Sequence, residues 1–132
     1  MNGLANLRAL RPMRILLVTD DTRYADEVLS AAAKTGLHVD LVTSKENIET
    51  TTLRTTPNVV VLDAHDRLTR TARAATAFAA LHPGILVVLV AVGGPERANS
   101  NFRVFDKWRA PERLLDELAR AHVGLPRKSS SA

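Results

Sequence analysis

Five short segments of the chain have the apolar spacing that is typical of β-strands. Three of them contain uninterrupted apolar runs, which indicates strands that are buried on both faces, as in a parallel sheet covered by helices. The segment at residues 37–42 alternates apolar and polar residues, so we expect that strand nearer an edge of the sheet. The predicted strands span residues 14–20, 37–42, 59–63, 85–92 and 103–106.

The segments between these strands repeat apolar residues every three or four positions, which predicts helices packed on the sheet. The first helix is expected to be capped by one of residues 20–22 and to end at Gly36. Another helix is predicted over residues 67–82, and the last one begins at Pro111.

Residues 43–57 predict a weaker helix. Thr43 and Glu46 have the spacing of a capping box, and Pro57 closes the segment. Several threonines lie between these ends, and a β-branched side chain loses rotamer freedom in a helix.

Strands that alternate with helices define an α/β protein with a parallel sheet and right-handed crossovers. For this chain we expect a flavodoxin-like, doubly wound (βα)5 arrangement whose five parallel strands lie in the order 2-1-3-4-5. The connection from Ala91 to Lys107 is short and residues 96–102 are polar, so the fourth helix is expected to be shortened.

The length of 132 residues suits one domain with a single sizeable core. We predict that domain over residues 14–123. An N-terminal extension, residues 1–13, precedes it, and a flexible tail or linker, residues 124–132, follows it.

Composition excludes several kinds of site. The chain has no cysteine, which rules out disulfides, thiolate metal sites and a cysteine nucleophile. The longest apolar run, residues 85–92, is too short to span a bilayer, so we expect no membrane partner and a cytoplasmic location. The net charge is +4, but the arginines are dispersed, so a nucleic-acid groove on this domain is not favoured.

Three carboxylates follow two predicted strands. Asp20 and Asp21 end the first strand and Asp63 ends the third, and these two strands are neighbours in the expected order. Converging carboxylates repel one another, so we expect Asp20, Asp21 and Asp63 to titrate as a coupled set with at least one raised pKa. Either Mg²⁺, which prefers oxygen ligands, or Lys107 after the fifth strand would balance the charge.

These landmarks resemble the response-regulator receiver domains of two-component signalling. The resemblance rests on Val18-Thr19-Asp20-Asp21, Val60-Val61-Leu62-Asp63 and Phe105-Asp106-Lys107, and it covers about residues 14–122. It implies that Asp63 accepts a phosphoryl group from a histidine kinase or a phosphotransfer protein and that Lys107 contacts the phosphate. It further implies Mg²⁺ held by Asp20, Asp21, Asp63 and the backbone carbonyl of His65.

Several positions depart from the pattern that the resemblance implies. Ala91 stands where the family has a hydroxyl, and Val104 stands where it has an aromatic ring. Trp108 replaces the proline after the lysine, so we expect a trans bond there. Arg67 and Thr71 occupy the region of the usual proline and glycine. We therefore expect phosphorylation to change the structure less than is usual in the family.

Competing functions remain open. The first is a phosphorylatable receiver that acts on a downstream protein effector. Such a receiver is a signalling module rather than an enzyme, and a homodimer is one of its open partner states. The second is a pseudo-receiver that docks onto proteins independently of phosphorylation. A haloacid-dehalogenase-like phosphatase is disfavoured because it needs an aspartate two positions after the nucleophile, where this chain has His65.

Overall fold

The computed structural model describes residues 13–43, 46–94 and 101–131 of the chain, with residues 122–131 described by their backbone alone. Strands and helices alternate along most of this length. In chain order the elements are β1 (Arg14–Val18), α1 (Thr22–Thr35), β2 (His38–Val42), α2 (Ile48–Thr55), β3 (Val59–His65), α3 (Leu68–Leu81), β4 (Leu86–Ala91), β5 (Val104–Asp106) and α4 (Pro111–Ser131).

The five strands form one parallel sheet in the order β2-β1-β3-β4-β5, which confirms the predicted α/β fold and strand order. The alternating strand β2 lies at an edge, as its pattern predicted. The strand β3 runs two residues past Asp63, because its register against β4 shifts between Asp63 and His65. Asp63 therefore lies within the strand rather than at its last position.

Two apolar clusters cover the two faces of the sheet. In β1, Ile15 and Leu17 pack into the cluster beneath α1 and α4, whereas Leu16 and Val18 pack into the cluster beneath α2 and α3. Successive side chains of a strand point to opposite faces, so a fully apolar strand supplies both clusters at once. Burial on both faces holds the carboxyl end of β1 in a fixed position beside β3.

Helix α1 has the ends that the sequence predicted. Asp21 is its N-cap and accepts a hydrogen bond from the Tyr24 backbone N–H at 3.0 Å. Gly36 closes the helix with a left-handed backbone, φ +74°, a conformation that glycine adopts without steric cost.

The predicted start of α2 is wrong. Asn47 is the N-cap and accepts a hydrogen bond from the Thr50 backbone N–H at 3.0 Å. The Glu46 carboxylate does accept hydrogen bonds from Thr43, through its backbone N–H at 3.3 Å and its hydroxyl at 3.1 Å. Thr43 and Glu46 thus form a turn ahead of the helix, and asparagine, an equally strong cap, begins it.

The connection between β4 and β5 differs from a full (βα)5 unit. Its described part, residues 92–94 and 101–103, contains no α-helix, so four α-helices rather than five appear in the described ranges. Most of the segment 96–102, where we expected a fragmentary helix, lies outside those ranges. Gly94 approaches the next strand closely: a Cβ there would lie 2.8 Å from the Asp106 Cα, which only glycine avoids.

Helix α4 continues to Ser131, through the residues that we expected to form a flexible tail. The assignment of residues 124–132 as a flexible tail or linker stays a prediction. The boundaries of the domain at residues 14 and 123 stay predictions.

Within the described ranges, no helix combines the length and apolar composition that crossing a membrane requires.

Candidate functional site

An open cleft of about 690 Å³ lies at the carboxyl edge of the sheet. The predicted site residues all line it, together with the first turn of α3. Its lining includes Asp20, Asp21, Asp63, His65, Arg70 and Lys107. The three carboxylates and the lysine that the sequence singled out therefore line one cleft.

Lys107 is the centre of the site. The pairing of β5 with β4 lets its backbone N–H donate to the Ala91 carbonyl at 2.9 Å. Its ammonium group lies 2.9 Å from Asp21 Oδ2 and 2.9 Å from Asp63 Oδ2, and its side chain is only 1% exposed. A buried ammonium held by two carboxylates is a fixed positive charge beside the cleft.

Asp63 is held from three sides. Besides Lys107, its Oδ2 accepts a hydrogen bond of 2.6 Å from the Thr19 hydroxyl, and its Oδ1 accepts one of 3.0 Å from the His65 backbone N–H. The register of β1 against β3 places Val18 beside Leu62, so the next residue along β1 lies beside Asp63. The Asp63 side chain is 4% exposed and is therefore restrained before any ligand arrives.

Two aromatic rings lie over the ammonium group. Lys107 Nζ is 5.3 Å from the centre of the buried Tyr24 ring and 5.4 Å from that of Trp108, which is 62% exposed. His65 Nδ1 accepts from Lys107 Nζ at 3.2 Å, and the imidazole meets the Trp108 ring edge-on. These contacts add cation–π attraction to the two ion pairs and fix the ammonium further.

The donors around the Asp21 carboxylate set its charge state. The Tyr24 backbone N–H, and then Lys107, lower the pKa of Asp21, because both stabilise its ionised form. Asp21 is therefore not a carboxylate whose pKa is raised, and the expected increase at one of the three carboxylates stays a prediction. Repulsion from the neighbouring carboxylates does not dominate at Asp21, because each of its two oxygens has its own hydrogen-bond donor.

The pKa values of Lys107 and Tyr24 are also shifted by their surroundings. Burial by itself would lower the pKa of Lys107, but the carboxylates of Asp21 and Asp63 outweigh it and raise that pKa. Burial, and next the negative charge of Asp63, raises the pKa of the Tyr24 hydroxyl. Lys107 is therefore charged, and Tyr24 neutral, throughout the physiological range.

The residues that would hold Mg²⁺ fit it by donor chemistry, since Asp20, Asp21 and Asp63 offer carboxylate oxygens. They are not arranged around a common point: among the described residues, no group of three or more metal-ligating side chains has a metal-binding arrangement. The His65 carbonyl accepts a hydrogen bond from the Val92 backbone N–H at 2.8 Å. Its role as a ligand, which would use its second lone pair, stays a prediction.

The positions that depart from the family pattern lie where the sequence predicted. Ala91 and Val104 are buried at the β4–β5 pair, within the apolar cluster beneath α2 and α3. No cis peptide bond occurs in the part of the chain that the structure describes, which agrees with the expected trans bond before Trp108. The β4–β5 edge therefore offers neither a hydroxyl at Ala91 nor an aromatic ring at Val104.

Comparison with protein-family models yields no match, and the curated proteins contain none either. Solved structures do match. A two-component transcriptional regulator AraC from Clostridium phytofermentans ISDg is 20% identical, with a TM-score of 0.65, over 89% of this chain and 98% of its own. A CheY-like response regulator receiver domain protein from Methanospirillum hungatei JF-1 is 18% identical, with a TM-score of 0.62, over 89% and 98%.

A further similar structure is an atypical orphan response regulator for which a phosphorylation-independent regulatory mechanism is described. It is 17% identical, with a TM-score of 0.63, over 86% of this chain and 97% of its own. At these identities the likeness concerns the fold. The chain has the response-regulator receiver, or CheY-like, fold, as the three sequence landmarks indicated.

Sequence reasoning missed three contributors to the site. Thr19 was noted only as part of the first landmark, although its place after β1, beside the strand that carries Asp63, was a usable signal. The ring of Tyr24 was not singled out. Trp108 was considered only as the replacement of a proline, whereas its ring lies over the Lys107 ammonium.

Proposed function

We propose that the chain is a receiver module that takes a phosphoryl group onto Asp63. The observation that carries the proposal is the buried Lys107 ammonium, 2.9 Å from Asp63 Oδ2, beside an open cleft. A carboxylate alone is a common strand-end residue, but a buried cation beside it would balance the negative charge of the phosphoryl group that the carboxylate receives.

In the proposed step, a carboxylate oxygen of Asp63 attacks the phosphorus of a phosphohistidine on a kinase or phosphotransfer protein. The bond from phosphorus to the histidine nitrogen breaks, and its electron pair stays on that nitrogen. The product is an acyl phosphate, whose added negative charge lies within reach of Lys107. The module is a regulated acceptor in this scheme, rather than an enzyme acting on a small molecule, and a downstream protein reads its state.

Mg²⁺ is the proposed cofactor. Asp20, Asp21 and Asp63 would hold it through their carboxylates, and the ion would neutralise charge on the phosphoryl group. Because Lys107 already contacts Asp21 and Asp63, the protein's own cation supplies part of that neutralisation. We therefore expect Mg²⁺ to add positive charge to a site whose carboxylate charge Lys107 already offsets in part.

Incubation with acetyl phosphate and Mg²⁺ tests the proposal. Intact-mass spectrometry should detect one added phosphoryl group, which hydroxylamine removes because the bond is an acyl phosphate. Asp63→Asn should abolish the adduct. Asp26→Asn, which alters an exposed carboxylate of α1 that does not line the cleft, should leave it unchanged. An unlabelled wild type beside a labelled control receiver would contradict the proposal.

A pseudo-receiver, which docks without phosphorylation, is the second candidate. The restraint of Asp63 favours it: the carboxylate is 4% exposed and one of its oxygens is shared by Thr19 and Lys107. The atypical orphan regulator of similar fold is described as phosphorylation-independent. Under this reading, the Asp63→Asn variant should keep full affinity for its protein partner.

A further inference from the structure

A continuous chain of hydrogen bonds joins Asp63 to the start of α1. The Thr19 hydroxyl donates to Asp63 Oδ2 at 2.6 Å, and its oxygen accepts the Asp21 backbone N–H at 3.0 Å. Asp21 Oδ1 in turn caps α1 at the Tyr24 N–H. The roles of the hydroxyl are fixed, because a carboxylate here can only accept and a backbone N–H can only donate.

Lys107 forms a second link between the same two ends. Its ammonium is shared between Asp63 Oδ2 and Asp21 Oδ2, both at 2.9 Å. Asp21 thus receives one contact from the Thr19 path and one from the Lys107 path. Thr19 and Lys107 are both almost fully buried, at 4% and 2% exposure, so water does not readily replace either contact.

We propose that Thr19 supplies the hydroxyl that the site lacks at Ala91, and that it conveys the state of Asp63 to the first turn of α1. This inference rests on the proposed function and adds the route by which phosphorylation is read. The route leads from Asp63 through the connection between β1 and α1, whereas a hydroxyl at Ala91 would have led through β4 towards β5.

The direction of the effect follows from charge. Phosphorylation moves the negative charge of Asp63 from its carboxyl oxygens onto the phosphoryl oxygens, which are the stronger acceptors. The Thr19 hydroxyl and the Lys107 ammonium should therefore move their contacts from the Asp63 carboxyl oxygen to the phosphoryl oxygens. The ion pair between Lys107 and Asp21 then weakens, and this pair is one of the two contacts that hold Asp21, the N-cap of α1. We expect the first turn of α1, residues 22–25, to respond more than the β4–β5 edge.

Amide chemical shifts measured with and without fluoroberyllate, a phosphoryl analogue, test the route in the full chain with Mg²⁺. In the wild type, the amides of Ala64 and His65 should shift because they adjoin the analogue, and those of residues 22–25 should shift with them. Thr19→Ser keeps the hydroxyl and should preserve both sets. Thr19→Val is nearly isosteric but lacks the hydroxyl, and it should reduce the α1 shifts at least twofold while Ala64 and His65 still shift.

Two failures are distinguishable. No shift at Ala64 or His65 in the wild type would contradict the proposed function, and the route with it. Shifts there, together with α1 shifts in Thr19→Val as large as in the wild type, would overturn the route alone. The control is Thr76→Val, on the exposed side of α3, which should show the same amide shifts as the wild type because its hydroxyl is not part of the route.

Hydrogen exchange gives a measurement that needs no phosphoryl group. The Asp21 amide donates to the Thr19 oxygen, so it should exchange roughly three- to tenfold faster in Thr19→Val than in Thr19→Ser. Equal exchange rates would show that the hydroxyl does not hold the start of α1, and the route would then be wrong whether or not Asp63 is phosphorylated.

Discussion

At the scale of single residues, local donors decide the charge state of Asp21 more than the neighbouring carboxylates do. The Tyr24 N–H and the Lys107 ammonium lower its pKa, so the folded protein favours its ionised form. A lowered folded pKa contributes stability above the ordinary aspartate value of about 3.9, and that contribution is lost as the pH falls through the folded value. Asp21 therefore stabilises the fold at neutral pH.

The prediction is that Asp21→Asn lowers the urea midpoint at pH 7. Asparagine can still cap α1, but it cannot pair with Lys107, so the loss reports the charge. The difference from the wild type should shrink as the pH falls below about 3.9, where the aspartate also becomes neutral. Asp26→Asn, at an exposed site of the same helix, serves as the control. A higher midpoint for Asp21→Asn at pH 7 would mean that carboxylate repulsion dominates after all.

At the scale of elements, α2 shows how a segment of poor helix formers still becomes a helix. Thr51, Thr52 and Thr55 are buried, and each hydroxyl donates to the carbonyl four residues earlier, at 3.1, 2.8 and 2.7 Å. The hydroxyls are thereby satisfied while the side chains are buried. Tertiary burial outweighs a helix propensity that is worth only tenths of a kcal/mol per residue.

One substitution at two positions of α2 tests this account. Thr50 is exposed, so Thr50→Ala should raise the free energy of unfolding by a few tenths of a kcal/mol through helix propensity. Thr52 is 3% exposed, so Thr52→Ala should lower it by about 1 kcal/mol through the lost buried methyl group. Urea denaturation measures both variants, and changes of the same sign would show that propensity or burial alone governs the helix.

At the scale of the whole molecule, the site exists only because separate parts of the sheet meet at one edge. Asp20 and Asp21 follow β1, Asp63 lies in β3, and Lys107 follows β5 at the far edge. Anything that binds across these residues holds three strands together. A ligand of the cleft should therefore stabilise the entire fold, by an amount that depends on its concentration and dissociation constant.

Mg²⁺ should consequently raise the melting temperature beyond the effect of matched ionic strength. At a hundred times its dissociation constant, the expected stabilisation is about 2.7 kcal/mol. Asp20→Asn should reduce it, because this exposed carboxylate of the cleft would be lost. Thermal unfolding in MgCl₂ and in NaCl of equal ionic strength measures the effect. Equal melting temperatures in the two salts would contradict a magnesium site.

The sequence by itself determined the strands, their order and the acidic edge. Short, uninterrupted apolar runs such as those of β1 and β4 are typical of parallel strands that are buried on both faces, and such a run is a local property of the chain. Asp21 and Gly36 marked the ends of α1 because capping depends on residues within one turn. The strand order placed Asp63 and Lys107 at the same edge of the sheet, although β4 lies between their strands.

The tertiary structure decided what those residues contact. That Thr19 donates to Asp63, that Tyr24 and Trp108 lie over Lys107, and that Asp21 has a lowered pKa all depend on distances between β1, β3, β5 and α1. No sequence spacing encodes these distances, because they arise when separate elements pack. A pKa or a hydrogen bond responds to changes of a few tenths of an ångström, whereas a hydrophobic pattern fixes only which face of an element is buried.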